Sequence, residues 1–257
     1  MRKLIVLGLL IPAIAMAKSP FDGTWKVRVD SVQVTGKPDV FEINNGMYDC
    51  KSCAPPYKIK ADGTDQPVPG HAYLDHEAVK VLSPSSIELT DKLAGKVMNT
   101  TAETLSADGS KLTGKFTSNS GEKPVTGTFT EKRVAPAPAG ALAISGSWMQ
   151  DSMSNMTDSG LIGTLQSTPN GLKMTTNGQT TDAKFDGKEY PTVGDPGKTM
   201  VTLKKISETQ IEETDRRGGK VVDIIVWTVA ADGKSINLAD TDPIHGTKTT
   251  MIFERQP

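Results

Sequence analysis

From residue 24 to residue 255 the chain is a succession of short runs in which apolar and polar positions alternate. Alternation with a period of two puts successive side chains on opposite faces of a β-strand. Strands are predicted at 24–30, 40–45, 47–49, 57–61, 78–82, 86–91, 96–105, 112–118 and 125–133. A second set is predicted at 147–154, 161–167, 172–176, 181–185, 200–205, 210–215, 220–229, 235–239 and 247–255. The clearest hairpin lies between Ile211 and Gly233. There Asp215-Arg216-Arg217-Gly218-Gly219 supplies the turn, and Lys220 to Val229 supplies a β-branched, aromatic-bearing return strand. Ala107-Asp108-Gly109 and Ala231-Asp232-Gly233 are further turns in which glycine takes the positive φ. No window keeps a 3.6-residue period with caps at both ends, so little helix is expected.

The two sets of strands are copies of one another. Ile87, Glu88, Thr90, Asp91, Gly95, Lys96, Val97, Thr104, Ala107, Asp108 and Gly109 recur 124 positions later as Ile211, Glu212, Thr214, Asp215, Gly219, Lys220, Val221, Thr228, Ala231, Asp232 and Gly233. Asp62-Gly63 with Pro67 and Gly70 matches Asp186-Gly187 with Pro191 and Gly194, and Phe129 falls opposite Phe253. Gly23-Thr24-Trp25 opens the first copy and Gly146-Ser147-Trp148 opens the second. The stretch 135–143, rich in alanine and proline, can be neither helix interior nor central strand and reads as the linker. The expected organisation is a leader at 1–17, a first repeat at 18–134, this linker, and a second repeat at 144–257.

Consecutive hairpins in this number favour closed up-and-down barrels, because closure removes exposed edges. The expected fold is all-β, with two tandem antiparallel barrels of about eight strands each. Gly-x-Trp on the opening strand, the run of hairpins, and Phe-Glu-Arg on the closing strand resemble the lipocalin-like (calycin-type) barrels. The resemblance implies that Trp25 and Trp148 pack across the closed ends, with Arg133 (or Lys132) and Arg255 as basic partners. The whole chain, with its Tyr-x-Cys-x-x-Cys segment, is also similar to a group of duplicated, exported bacterial proteins; that likeness implies fold and export and no activity.

The leader supports export. Arg2 and Lys3 precede an apolar run at 4–14 and the small-x-small site Ala15-Met16-Ala17. That run falls short of the about 20 apolar residues a spanning helix needs. No cysteine comes directly after it, which argues against a lipid anchor, and a periplasmic or secreted location is expected. Removing Arg2 and Lys3 from the 29 basic residues leaves 27 against 30 acidic ones. No basic stripe suited to nucleic acid is present. Aromatic residues make up only 5% of the chain, too few for the two girdles of an outer-membrane barrel.

Candidate chemistry is sparse. Cys50 and Cys53 are the chain's two cysteines, in Tyr48-Asp49-Cys50-Lys51-Ser52-Cys53-Ala54-Pro55-Pro56. Ala54 excludes a c-type haem attachment, and Pro55-Pro56 is a poor start for the helix of a thioredoxin-like site. A local disulfide in an oxidising compartment is the simplest reading; a redox-active pair and a thiol metal site are the alternatives. His71, Asp75 and His76 match no standard ligand spacing and read as a solvated loop, and His245 as a turn residue. Met149, Met153 and Met156 suit core or cavity lining better than Cu(I). On a strand Glu213 and Asp215 share one face and Glu212 takes the other; with Arg216, Arg217 and Lys220 nearby they read as surface ion pairs. No nucleophile elbow, phosphate loop or dinucleotide fingerprint appears.

These observations point to an exported, non-enzymatic binding protein without a cofactor or metal, holding a small apolar ligand in a barrel lumen. A periplasmic protein-interaction or protease-inhibitor-like module is the alternative, and a CxxC redox protein the second.

Overall fold

The computed structural model describes residues 19–257; the leader assigned to 1–17 lies outside the described residues. Twenty strands succeed one another along the chain. The first ten are β1 (Gly23–Gly36), β2 (Asp39–Asn44), β3 (Met47–Cys50), β4 (Tyr57–Lys60), β5 (Gln66–Pro67), β6 (His76–Ser83), β7 (Ser86–Leu93), β8 (Lys96–Leu105), β9 (Lys111–Ser118) and β10 (Val125–Ala135). The rest are β11 (Gly146–Ser154), β12 (Ile162–Thr168), β13 (Gly171–Thr176), β14 (Gln179–Lys184), β15 (Tyr190–Val193), β16 (Met200–Lys205), β17 (Gln210–Arg217), β18 (Lys220–Val229), β19 (Ser235–Asp242) and β20 (Thr247–Arg255). A single 3₁₀ turn at Asp158–Gly160 is the helical content among the described residues.

The strands form two barrel-shaped antiparallel sheets of ten strands each, not about eight. Their membership corrects the expectation that each repeat closes its own barrel. The first sheet contains β2 to β11, so it ends with the Gly-x-Trp strand of the second repeat. The second contains β12 to β20 and is closed by β1, the Gly-x-Trp strand of the first repeat. β1 pairs with β12 through Gly23 to Lys26 and with β20 through Trp25↔Arg255 and beyond, with a register shift between Arg28 and Gln33. Only Lys37 and Pro38 separate β1 from β2, and residues 155–161 carry the chain from the first sheet into the second. The stretch 135–143 therefore joins β10 to β11 inside one sheet, and is not the connection between sheets.

The reason lies in what each Gly-x-Trp strand packs against. Trp25 and Trp148 are fully buried, at 2% and 0% exposure. Each indole N–H must find an acceptor, and each finds the carbonyl four residues before it: Phe21 for Trp25 at 2.8 Å, Ile144 for Trp148 at 3.2 Å. Against each ring lies a guanidinium, Arg255 on Trp25 and Arg133 on Trp148, both 4.1 Å from the ring centroid. Arg133 donates to the carbonyls of Gly109, Ala143 and Ser145. Arg255 donates to those of Gly233, Asp22 and Pro20. The arginine of one last strand thus holds the segment that leads into the tryptophan strand beside it. Lys132 pairs instead with Asp151.

Core side chains gather around the two tryptophans, Ile43, Val68, Val79, Ile87, Leu112 and Ile144 with Trp148, and Leu172, Val201, Leu203, Ile211 and Ile236 with Trp25. The repeat register of 124 holds from β5 to β9, down to matching bulges after Asp91 and Asp215. It slips by two at the last strand. Glu131 opposes Leu112 where Phe253 opposes Ile236, so Glu131, not Phe129, is the structural counterpart of Phe253.

Because β1 belongs to the second barrel, its damage should be felt there. Trp25→Ala is expected to cost about 3–5 kcal/mol, as for other large buried aromatics. Amide-exchange protection is expected to fall in β12 and β20 while β6 to β9 keep theirs. Equal loss in both sheets, or loss confined to the first, contradicts the pairing described.

Candidate functional site

The two barrels differ at one seam. In the second, β14 and β15 are laddered through Thr180↔Val193 and Thr181↔Thr192. The counterparts 124 positions earlier are Pro56, Tyr57, Val68 and Pro69. Proline has no N–H to give a ladder. No ladder joins β4 to β5, and the first sheet is open along this line.

Two loops fill the opening. One is the segment after β3, in which Cys50 and Cys53 are joined by a disulfide with their Cα atoms 5.5 Å apart. Cys50 is buried and Cys53 half-buried, packed against the first core. The other loop runs through residues 70–75. Facing both is the end of the second barrel, with Arg217, Lys220, Val222, Asp223 and the turn at 242–246. Between them lies a cavity of about 690 Å³, walled by Ala54, Pro55, Pro56, Leu74, Val222 and Ile244 and edged by His71, Arg217, Lys220 and His245. A second cavity of about 420 Å³ lies on the other side of the disulfide loop, where Cys53, Ala54, Ile244 and His245 line both. The disulfide loop and the 242–246 turn are therefore two jaws of one groove.

Tyr73 closes the inner end. Its ring stacks on the guanidinium of Arg217, 4.9 Å from the centroid. Arg217 is held in turn by the Thr199 hydroxyl at 2.9 Å and lies 3.7 Å from the Asp223 carboxylate. Room for the ring depends on Gly197, where a Cβ would meet Tyr73 at 2.6 Å. Behind Tyr73 is a polar chamber of about 190 Å³ that reaches Asp195, Glu213 and Asp215.

Glu213 corrects the surface reading of its segment. It does share a face with Asp215, but that face is the barrel interior. Glu213 is 6% exposed and accepts from the Trp227 indole N–H at 2.8 Å. Burial, reinforced by Asp215, pushes its carboxyl well above the usual range, and burial with Asp223 raises Asp215. Burial likewise takes Asp240 to about 6. The first barrel carries a different set. Tyr57 donates to Glu77 at 2.5 Å, and burial lifts Glu77 to about 7. Burial and neighbouring carboxylates lift Glu103 to about 8 and Glu131 to about 7.

The remaining sequence candidates do not converge. His76 and Asp75 are in contact at 3.0 Å, but His71 stands apart, its ring edge-on to Tyr57 at 5.2 Å. Burial lowers the basicity of the His71 imidazole. Met149, Met153 and Met156 are half-buried, with Met153 opposite Phe129 and Met156 against Gly127. Among the described residues no group of three or more His, Cys, Asp or Glu side chains is placed to hold a metal ion. No described helix is long and apolar enough to cross a membrane. No protein-family model matches the chain, and no curated protein or solved structure matches it either. The groove escapes a reading of the sequence because loops from both sheets make it. The prolines at 56 and 69, with no counterpart at 180 and 193, are the readable signal.

This chemistry has two measurable outcomes. Carboxyls ionise near pH 4 in an unfolded chain, whereas Glu77, Glu103 and Glu131 do so near 7 to 8 here. Between these limits the folded state binds more protons, so stability falls as pH rises through the window. Urea midpoints should be higher at pH 5.5 than at pH 8, and Glu103→Gln should shrink the difference; a midpoint that climbs towards pH 8 rejects the assignment. Replacing Cys50 and Cys53 together by alanine opens a ring with two residues between the sulfurs. It should cost only about 1–2 kcal/mol by loop-closure entropy, read from denaturant midpoints.

Proposed function

We propose that this chain is an exported, non-enzymatic binding protein of lipocalin-like build that holds a small apolar molecule. The observation that carries the reading is the groove between the disulfide loop and the 242–246 turn. Its volume of about 690 Å³ lies within the range of small-molecule sites. Its walls are aliphatic and proline-rich, with a few polar groups at the edge, which is the lining such sites have. The ligand is placed here and not in a barrel lumen for a physical reason. The interior positions are taken by core side chains around the two tryptophans and by ionisable carboxyls, Glu77 and Glu213 among them, which leaves an apolar molecule no continuous apolar lining there. Export and a periplasmic or secreted location, read from residues 1–17, belong to the same proposal and suit a disulfide-bonded loop.

N-phenyl-1-naphthylamine, an apolar probe that fluoresces when it leaves water, tests this directly. It should bind the protein in the micromolar range. Ile244→Asp and Val222→Asp, each of which puts a charge into the apolar wall, should weaken binding about tenfold or more, equivalent to about 1.4 kcal/mol. Far-ultraviolet circular dichroism should be unchanged. Binding that ignores both substitutions removes the groove from consideration.

A further inference from the structure

The 242–246 turn does more than offer Ile244 to the groove. Asp242 Oδ1 accepts the backbone N–H groups of Ile244 at 2.7 Å and His245 at 2.9 Å. The Gly246 N–H returns to the Asp242 carbonyl at 2.9 Å. Its other carboxylate oxygen, Oδ2, lies 2.5 Å from His245 Nδ1. An ionised carboxylate can only accept, so the proton between them sits on Nδ1. In its neutral form the imidazole has one N–H, and this contact spends it. His245 Nε2 is left as a lone-pair acceptor. The turn fixes the ring, and the residue is half exposed and lines both cavities of the groove.

We infer that the groove is specific for apolar molecules bearing a hydroxyl group, which His245 Nε2 accepts while Asp242 sets the tautomer. This rests on the groove being the binding site. A hydroxyl is the donor that fits, because it gives an N–H-free lone pair one hydrogen bond without bringing a charge into a groove walled by aliphatic and proline side chains. His245 is a positioning and specificity residue, and no bond is made or broken.

Asp242→Asn reverses the polarity of the site with little change of shape. The asparagine oxygen can keep the backbone N–H groups of the turn, while its NH₂ donates to Nδ1. The imidazole proton then moves to Nε2, which becomes a donor. His245→Phe removes the acceptor altogether.

The test compares 2-naphthol with 2-methoxynaphthalene, its methyl ether, which lacks the donor. Affinities for both are measured at pH 7.5 on the full mature chain. The ratio of naphthol to ether affinity, in which any change common to both ligands cancels, should fall about tenfold in Asp242→Asn and in His245→Phe: in His245→Phe the hydroxyl loses its acceptor, and in Asp242→Asn the Nε2–H can donate to the ether oxygen as readily as to the hydroxyl. A ratio that stays at the wild-type value in both variants overturns the inference and leaves the groove reading standing. If Asp242→Asn weakens both ligands together, the turn has been lost, and the ratio in His245→Phe alone decides. An ether that binds wild type and Ile244→Asp alike defeats the groove reading itself.

Discussion

A buried tryptophan beneath a half-buried arginine is a demanding arrangement. The indole N–H, cut off from water, needs a protein acceptor, and the guanidinium packed on its ring has several donors to place. Here both demands are met by the backbone segment that enters the tryptophan strand. The indole takes the carbonyl four residues upstream, and the arginine takes carbonyls from the same segment and one from a neighbouring turn. The clamp works only if the entry segment, the tryptophan strand and the last strand of a barrel are neighbours. For Trp148 that neighbour is β10, directly before it in the chain. For Trp25 it is β20, at the far end of the chain. The first barrel is thus contiguous in sequence, and the second is shut by joining the two ends of the chain. Closure of this kind carries more loop entropy than pairing between neighbours in the chain, so it leans harder on the contacts around Trp25.

That arrangement brings the open seam of the first barrel up to the end of the second. Two residues link β1 to β2, so the barrels are tied closely where β1 leaves one and β2 enters the other. The groove is the product. Its lower jaw exists because Pro56 and Pro69 forbid a ladder, and its upper jaw because Asp242 winds a tight turn at the end of β19. Neither jaw is a site alone.

Much of the fold is written in the alternation and the 124-residue repeat, since from β5 to β9 the strand registers and the bulge after Asp91 reappear in place. The misleading signals lie at the ends. The Gly-x-Trp strand begins each copy, and sequence order does not say whether a strand pairs with its successor or with its predecessor. Phe129 and Phe253 match by letter, yet the strands are offset by two; an even slip keeps both side chains on the same face, so the pattern gives no warning. Glu213 reads as solvated because charged neighbours surround it in sequence. Alternation nonetheless puts it on the face of Ile211, which is buried. His245 looks like a lone turn histidine, although Asp242 three residues earlier is the readable half of the pair.

The disulfide belongs to this same asymmetry. The second repeat closes its seam with backbone hydrogen bonds between β14 and β15 and has no cysteines. The first gives up those bonds to proline and acquires Cys50 and Cys53 at the end of β3. Cys50 is laddered to Phe41 on one side and to Tyr57 on the other, so the bond ties the loop to the last well-paired position before the opening. A short ring adds little to global stability, but it restricts where Cys53 and Ala54 can lie, and these two residues separate the groove's two cavities. Its place at the seam is better explained by local shape than by overall stability: with the ladder gone, a covalent tether keeps the lower jaw opposite Ile244 and His245.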